Sequence, residues 1–572
     1  MNSNEVNHPD FIKCTQNQGN TWQQDYSMSQ QNMVPQQNMM PQQNMMSQQN
    51  MMPQQNMMSQ QNMIPIQKRG SYEFFQKVFL PSIIYALVTT FCRYHNPASI
   101  LSPVWVMGGL VYIAVVPKGL GQSWNHHMYF PAASMVLLGL SNMMTTNSTI
   151  YSMNNFICDV LLVLTLILAF YPEEKWQIHQ WIYAFLASIV GAISSLGDWG
   201  EDLSAASKEK NRKSGAFLAV LVGIGIAIPL TIVIVLLLAS ADSVFHQMVK
   251  TVFDMDYDFT DFILSAMMCI FVFIGSYCLV RYLHKKNPLV KAPKEKSFPQ
   301  VTAYVILLPL TLIYLLFSWI QFAYLLIGNM KLPQGMTYST YAHQGFDQLL
   351  VVVVINLIVV LLIIACFGRR KGLQLLLTLF TLCTYVMIAS AYVRIFMYIA
   401  AYRLTELRFL VVWGLSVMAV LYLMVLVYIY RESFYLARWF MVIGCLSCIG
   451  LSYCRMDVII AKYNLSHIQE LREKHPVDTD VRFLEGDYGN QDIYYMSTLS
   501  TDACDVIFTS GNEDLIMAYI LRNNKEYLGQ PYSYRMTNLS YENFKNRVDD
   551  TKYQRLMREA LEKEQSEESV EE

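Results

Sequence analysis

Long apolar runs alternate with short polar stretches along most of this chain. Many of these runs reach the roughly 17–25 residues that an α-helix needs to cross a lipid bilayer. The pattern predicts spanning helices near residues 78–91, 100–116, 129–144, 155–171, 216–239, 262–283, 301–327, 349–367, 373–393, 409–430 and 437–453. A weaker segment at 181–196 either spans or lies in the interface. We therefore predict an all-α, polytopic transmembrane helical bundle of about 11–12 spans.

The two ends of the chain are polar and set the predicted domain boundaries. Residues 1–67 contain a repeat of Gln-Gln-Asn-Met-Met followed by Pro or Ser. This tract has too few branched apolar residues to offset its chain entropy, so we predict a disordered low-complexity tail. Its thioethers suit Cu(I), but no His or Cys reinforces the repeat, and we predict no metal site. Residues 68–454 are predicted to form the membrane domain, and residues 455–572 a small, mostly helical appendage.

Basic residues concentrate in alternate loops, and this orients the predicted bundle. Lysines and arginines cluster at 208–213, 281–296, 369–371 and 431–438. The positive-inside rule places these loops and the N-terminus in the cytoplasm, and the connectors 329–347 and 394–408 and the C-terminus outside. This orientation requires an odd number of spans, so we prefer eleven, with one weak early segment lying flat. The predicted location is the plasma membrane.

The connector at residues 329–347 is the predicted working surface. It separates two long apolar runs, so it lies at one membrane face or dips back into it. Aromatic and polar residues crowd around its Pro-x-Gly turn, and the candidates in and beside it are Gln321, Tyr324, Pro333, Gly335, Tyr338, Tyr341, His343, Gly345 and Phe346. We predict a folded interfacial loop in which His343 forms hydrogen bonds and does not bind metal.

Polar side chains within the spans are functional candidates because lipid solvates them poorly. Asp159 lies near the start of the fourth predicted span, where it is either functional or a boundary residue in headgroup water. Gln321 and Asn356 lie deeper in their spans. They either line a polar path or bond neighbouring helices, and the second role is the commoner one.

A cluster of charge follows the predicted span 373–393. Arg394, Arg403 and Arg408 surround Glu406 there. Such arginines bind a phosphate or carboxylate, or they pair with acidic loops of the same chain, such as those holding Asp347 or Asp242. Because charges nearly balance across the predicted outer loops, we favour internal pairing.

Composition narrows the classes of function. The chain is 53% hydrophobic and has a formal net charge of −2. No basic face is evident, so we predict no nucleic-acid partner. Nucleotide-binding and hydrolase motifs are missing, so we predict no cofactor and no catalytic residue, and an enzyme is the less favoured class. The expected partners are the lipid bilayer and an envelope component or another membrane protein.

Several blocks of the sequence are similar to a family of uncharacterised bacterial membrane proteins. The first block holds Gln321, Tyr324, Pro333, Gly335, Tyr338, Tyr341-Ala342 and Gly345-Phe346, and the second holds Ser390-Ala391, Arg394, Tyr398, Leu404-Thr405 and Arg408. Further blocks are LLASADSVF with Asp242, DVIIAKYN beginning at Asp457, and LSTDA at 499–503. Over residues 75–545 the chain resembles the domain of unknown function 4173, with the related 4153 group behind it. The resemblance implies architecture without a known activity.

Three classes of function are compatible with these patterns. We favour a non-enzymatic membrane protein that senses or binds an envelope component, because the conspicuous polar chemistry lies in outer connectors. A transporter or permease for a small solute would bring Asp159, Gln321 and Asn356 to one cavity. An envelope glycan or lipid-linked transferase would need a carboxylate or His at a headgroup-level cavity, for example Asp242, Asp254 and His343 in one cleft.

Overall fold

A computed structural model of the protein describes residues 66–96, 98–171, 176–209, 257–285, 299–327, 346–431, 433–474, 493–528, 537–549 and 552–555, with single positions 234, 238 and 558. Within these residues the secondary structure is helical. We number the α-helices in chain order as α1 (Ile66–Arg93), α2 (Ser102–Gly119), α3 (Tyr129–Asn142), α4 (Ser148–Phe170), α5 (Ile178–Ser194), α6 (Leu196–Glu209), α7 (Tyr257–Lys285), α8 (Gln300–Ile327), α9 (Phe346–Phe367), α10 (Lys371–Tyr402), α11 (Glu406–Tyr430), α12 (Leu436–Tyr453), α13 (Met456–Lys474), α14 (Cys504–Phe508), α15 (Glu513–Leu528) and α16 (Leu539–Val548).

The predicted polytopic, all-helical membrane fold is confirmed. Over the described residues, nine helices are long and apolar enough to cross a membrane, namely α1, α2, α4 and α7 to α12. The pair α5 and α6 passes the same test together, with a bend of 51° between its halves. Of the other predicted spans, 129–144 corresponds to the 14-residue α3, and 216–239 lies outside the described residues except for positions 234 and 238.

Four apolar clusters are buried within the described residues, and two of them connect most of the spanning helices. The first is formed mainly by α1 to α4 and α7 and includes Trp105 and Tyr277. The second is formed by α8 to α12 and includes Phe380 and Val425. α12 packs against α3 and α4 as well as α11, so it joins the two sets. Large apolar side chains such as Phe271, 79% exposed, face outward, as expected for helices surrounded by lipid.

The helix connections define two ends of the bundle. One end holds the turns after α1, α3, α10 and α12. We call it the tail-side end, because the C-terminal region packs there. The backbone N–H of Ile100 donates to the Thr537 carbonyl, and that of Leu539 donates to the Met143 carbonyl, each at 2.9 Å. The opposite end holds the turns after α2, α4, α9 and α11.

The bent pair packs against the carboxyl-terminal end of α7. Gly191 of α5 lies so close to Tyr282 that an added Cβ would overlap the ring. The buried Asp202 carboxylate of α6 accepts hydrogen bonds from Arg281 Nη2 at 2.6 Å and from the Tyr277 hydroxyl at 3.0 Å. Both halves are therefore fixed to α7 by close packing and a buried ion pair. The interfacial placement of this segment stays a prediction.

Two predicted boundaries are wrong. α4 begins at Ser148 and not near residue 155, because the Asn147 side chain accepts a hydrogen bond from the N–H of Ile150 at 3.0 Å and caps the helix there. α10 continues to Tyr402, which reduces the predicted connector 394–408 to residues 403–405. At both places the helix is longer than the apolar run. A capping side chain extends α4 at its start, and residues compatible with a helix extend α10 at its end.

Candidate functional site

The predicted connector at 329–347 lies mostly outside the described residues. This applies to Pro333, Gly335, Tyr338, Tyr341, His343 and Gly345, and also to Asp242 of an earlier segment. Tyr324 belongs to α8 and Phe346 begins α9, so these two positions flank the connector. The folded interfacial loop stays a prediction.

The polar residues of the central spans bond neighbouring helices. The Ser390 hydroxyl of α10 donates to Gln321 Oε1 at 2.7 Å. Asn356 is 1% exposed and accepts a hydrogen bond from the Tyr314 hydroxyl at 2.9 Å. Its amide donates to Thr384 of α10 at 3.0 Å. Both residues are therefore tied to α10, which is the interhelical role considered above.

Asp159 has a different environment. Nη1 of Arg93, at the end of α1, lies 3.0 Å from both carboxylate oxygens of Asp159. The same guanidinium lies 4.3 Å from the ring centroid of Trp105 on α2. Asp159 is thus paired with α1, through an arginine that packs on α2, whereas Gln321 and Asn356 are bonded to α10. These contacts do not bring the three residues together, as a transport path through them would require.

The predicted arginine cluster partly forms a helix-end cap. Arg408 Nη1 donates to the Tyr402 carbonyl at 2.5 Å and also to the Arg403 carbonyl. Its guanidinium stacks 4.1 Å from the ring centroid of Tyr398. Arg403 has a φ of 70°, so the chain leaves α10 in the left-handed region. Arg394 lies one turn before Tyr398 in α10. Arg408 therefore donates to carbonyls at the C-terminal end of α10, which have no partner within the helix, and packs on a ring of the same helix.

Two buried aspartates organise the tail-side end, and Asp457 is the first. It lies in the first turn of α13 and is 2% exposed. Its carboxylate accepts hydrogen bonds from the Asn147 amide at 3.0 and 3.2 Å, from the Ser500 N–H at 3.2 Å and from the Ser500 hydroxyl. Asp457 thereby joins the loop after α3 to the segment before α14.

Asp502 is the second, and it binds the same loop. It is 5% exposed and accepts hydrogen bonds from the Thr145 hydroxyl at 2.5 Å and from the Thr146 N–H at 3.0 Å. The hydroxyls of Thr146 and Thr501 lie 2.7 Å apart beside it. The loop at 145–147 is thus held by both carboxylates. We call this set of contacts the aspartate seam, formed by Thr145, Thr146, Asn147, Asp457, Ser500, Thr501 and Asp502.

Two asparagines extend the aspartate seam. The Asn538 amide donates to the carbonyls of Asn142 at 3.1 Å and Thr145 at 2.9 Å. Asn464 accepts from the Leu404 N–H at 3.0 Å and donates to the Leu404 carbonyl at 2.9 Å. Buried backbone groups need such partners because water does not reach them. The blocks that begin at Asp457 and contain Leu404 and Asp502 therefore meet at one place.

A cavity of about 250 Å³ lies beside the aspartate seam. Its walls come from the loop after α3, the end of α12, the start of α13 and α16. Arg455 contributes a positive charge, and its Nη2 donates to the Asp502 carbonyl at 3.2 Å. Ile150 and Leu451 contribute apolar surface. The cavity therefore offers a basic side chain, acidic side chains and an apolar wall to one occupant.

Burial sets the electrostatics of the site. It raises the pKa of the Asp502 carboxyl; nearby Asp457 raises it further, while hydrogen bonds from Ser540 and Thr145 lower it. Burial also raises the pKa of the Cys504 thiol to about 12, so that thiol is neutral near pH 7. The described residues contain no group of three His, Cys, Asp or Glu side chains placed to hold a metal ion. The site can therefore bind polar groups through its hydrogen-bonding side chains and Arg455.

Sequence reasoning found this site in part. Asp457 and the LSTDA block were singled out through the family resemblance, but Thr145 and Asn147 were not. The sequence feature that indicated these residues was the similarity of two short blocks, the one that begins at Asp457 and the one at 499–503, to one family. Nothing in the spacing of the residues indicated that both blocks contact the loop after α3.

Comparison with known proteins gives one match. The model of the family described as "Domain of unknown function (DUF4153)" matches residues 132–508. This range is more than half of the chain and includes both aspartates of the seam. Neither the curated proteins nor the solved structures contain a match. The matched family is the one that the sequence resemblance had placed second, behind the 4173 group.

Proposed function

We propose that this chain, which belongs to the DUF4153 family, is a membrane protein that binds an envelope component at its tail-side end. The observation that carries the proposal is the cavity of about 250 Å³ beside Asp457 and Asp502. Its walls come from membrane helices, from a loop and from the C-terminal region. An occupant would contact all three parts and so couple them.

The lining favours a small amphiphilic group. A volume of about 250 Å³ equals roughly eight waters at about 30 Å³ each, which suits a headgroup or a single polar ring and not a polymer. Arg455 can pair with an anionic oxygen, while Ser540 and Asn543 offer hydrogen bonds. Ile150 and Leu451 can cover an apolar edge of the same molecule. We therefore favour a headgroup-sized envelope component.

The tail-side end is proposed to lie outside the plasma membrane. The opposite end carries Arg369, Arg370 and Lys371 between α9 and α10, and Arg431 after α11. The positive-inside rule assigns such turns to the cytoplasm. A phosphatase fused after residue 572 is then expected to be active, and a fluorescent protein at the same place dark. The reverse pattern would place the cavity in the cytoplasm and end the envelope assignment.

The binding proposal is tested by blocking the cavity mouth. Met144 lines the cavity, is 52% exposed and follows α3, so Met144→Trp should narrow the entrance without breaking the seam. The full-length protein is purified with its native membrane in polymer-bounded discs, and extracted small molecules are measured by mass spectrometry. We expect one component to be enriched with the wild type and to fall about tenfold in the variant, which corresponds to roughly 1.4 kcal/mol.

The matched control is Leu140→Trp. Leu140 lies on α3 close to Met144 and is 36% exposed, but it is not among the lining residues. This variant should retain the component at the wild-type level. Equal recovery of every small molecule from the wild type and from Met144→Trp would refute binding in this cavity.

A second candidate, an envelope glycan or lipid-linked transferase, is favoured by one observation. Asp457 and Asp502 both line the cavity, and a positioned carboxyl group is one that general acid–base catalysis uses. With an enriched component as substrate, Asp502→Asn should keep binding but abolish turnover if the protein is a transferase. Retained binding with no turnover in the wild type would leave the binding function.

We also propose that the chain is related to the 4173 group. The resemblance rests on the residues named above, and it extends to residue 545, which includes Asn538, Ser540 and Asn543 of the cavity region. If it holds, the ligand class is expected to be shared with that group.

A further inference from the structure

A groove of about 370 Å³ lies at the opposite end of the bundle, far in the fold from the aspartate seam. It is bordered by the short 3₁₀ turn His126–Met128, α3, α4, α5 and the start of α12. Its inner walls are apolar and include Leu164 and Leu168, one turn apart on α4, and Phe440 and Met441 on α12. Such walls match an acyl chain that lies along the helices.

The rim of the groove is basic. Arg438 Nη2 lies 3.1 Å from Nδ1 of His127, and because a guanidinium can only donate, the ring accepts at Nδ1. The ring of His126 contacts that of His127, with centroids 3.8 Å apart and the ring planes tilted by 47°. The described residues that line the groove include no Asp or Glu. Among these described lining residues, Arg438 supplies the permanent charge, and that charge is positive.

Aromatic side chains place this rim at the depth of lipid headgroups. The rings of Trp176 and Trp181 lie 4.8 Å apart in the wall. The Arg438 guanidinium lies 5.8 Å from the ring centroid of Tyr435, just before α12 begins. Trp and Tyr are enriched where a membrane protein meets the headgroup layer. The polar rim and the apolar walls thus follow each other along α4 and α12 in the order of a phospholipid headgroup and its acyl chain.

We propose that this groove binds an anionic phospholipid. Arg438, oriented by His127, binds the phosphate, and one acyl chain lies against Leu164 and Leu168. Basic pockets between spanning helices on the basic-loop side of a membrane are suited to anionic headgroups. The proposal concerns residues that the tail-side cavity does not use, so either can fail without the other.

The test measures lipid selectivity of the full-length protein. The protein is purified in detergent and titrated with phosphatidylglycerol or with phosphatidylcholine of the same acyl chains, and binding is read by native mass spectrometry and by thermal unfolding. We expect phosphatidylglycerol to bind more tightly and to raise the unfolding temperature. Arg438→Gln should weaken its binding about tenfold, to the level of phosphatidylcholine.

Two further variants separate charge from shape. Ala437 lines the groove beside Arg438, so Ala437→Trp should exclude both lipids while leaving the charge in place. Arg431→Gln is the matched control, because Arg431 is exposed in the turn just before α12 and is not among the residues that line the groove; it should bind as the wild type does. Equal binding of phosphatidylglycerol to the wild type and to Arg438→Gln overturns the proposal. So does a change of oligomeric state in Ala437→Trp with lipid binding kept, which would indicate a second copy in the groove.

Discussion

The aspartate seam and the central spans use polar side chains in opposite ways. In the seam, Asp457 and Asp502 accept several hydrogen bonds each from a loop more than 300 residues away in sequence. In the spans, Gln321 accepts a hydrogen bond from α10, and Asn356 forms hydrogen bonds with α8 and α10. The first arrangement brings distant segments together, and the second joins helices that already lie side by side.

The difference follows from what surrounds each region. A hydrogen bond between helices in lipid contributes on average about 0.6 kcal/mol, since the separated helices also find partners within the membrane. A buried donor that loses its partner at a water-accessible end costs roughly 1–3 kcal/mol, because the unfolded chain regains hydration there. We infer that the seam fixes where the C-terminal region docks, while apolar packing holds the spans.

Removing the Asp457 carboxylate should have the largest effect on stability. Asp457→Ala leaves the Asn147 amide, the Ser500 N–H and the Ser500 hydroxyl without their acceptor. We expect the free energy of unfolding to fall by about 4 kcal/mol, from three donors at roughly 1–3 kcal/mol each. Reversible unfolding in mixed micelles measures the loss, and hydrogen exchange at 145–147 and 499–503 should show where it occurs.

The control for this variant is Asp505→Ala. Asp505 lies near the seam in α14, its side chain is 43% exposed, and it forms an ion pair with Arg547 at 3.1 Å. An exposed ion pair contributes at most about 1 kcal/mol. Similar losses for the two variants would show that the seam does not depend on burial.

Breaking the Asn464 clamp should have the next largest effect. Asn464→Leu leaves both backbone groups of Leu404 without a partner in a buried position. We expect a loss of about 3 kcal/mol from the two unpaired groups, with faster hydrogen exchange at 403–405. An unchanged exchange rate at Leu404 would show that water replaces the amide and that the clamp is dispensable.

The titration of Asp502 should give the seam a pH dependence. Its pKa is raised in the folded protein, so its contribution to stability is complete below the unfolded value of about 3.9 and is lost as pH rises through the folded pKa. Stability should decline by at most about 1.4 kcal/mol per pH unit over that window. Unfolding measured from about pH 4 upward should show this decline in the wild type. Asp502→Asn, which stays neutral, should lack it, and an equal decline in that variant would assign the effect to another group.

The same contrast explains what could be predicted from the sequence. The spans were predictable because each apolar run has the length of the hydrocarbon core, as in α8 and α9. The hydrogen bond from Asn147 to Asp457 joins residues that are 310 positions apart in the sequence. The spacing of apolar residues predicts helices but not contacts between such distant segments. The start of α4 depended on the Asn147 cap, which an apolar pattern does not register. The 329–347 connector, predicted as the working surface, stays a prediction.

The smallest effect is expected within the spans. Asn356→Leu removes the bonds to Tyr314 and Thr384 but gives α9 an apolar side chain of similar size against α10. We expect a loss of about 1 kcal/mol, between the average of about 0.6 kcal/mol and the maximum of about 1.7 kcal/mol for interhelical bonds in membranes. A double-mutant cycle with Thr384→Val isolates the Asn356–Thr384 bond from the packing change. If this loss equals that of Asp457→Ala, the spans depend on polar contacts as strongly as the seam does. That result would support the transport alternative, because Asn356 would then contribute more to the free energy of unfolding than a buried polar group in a span usually does.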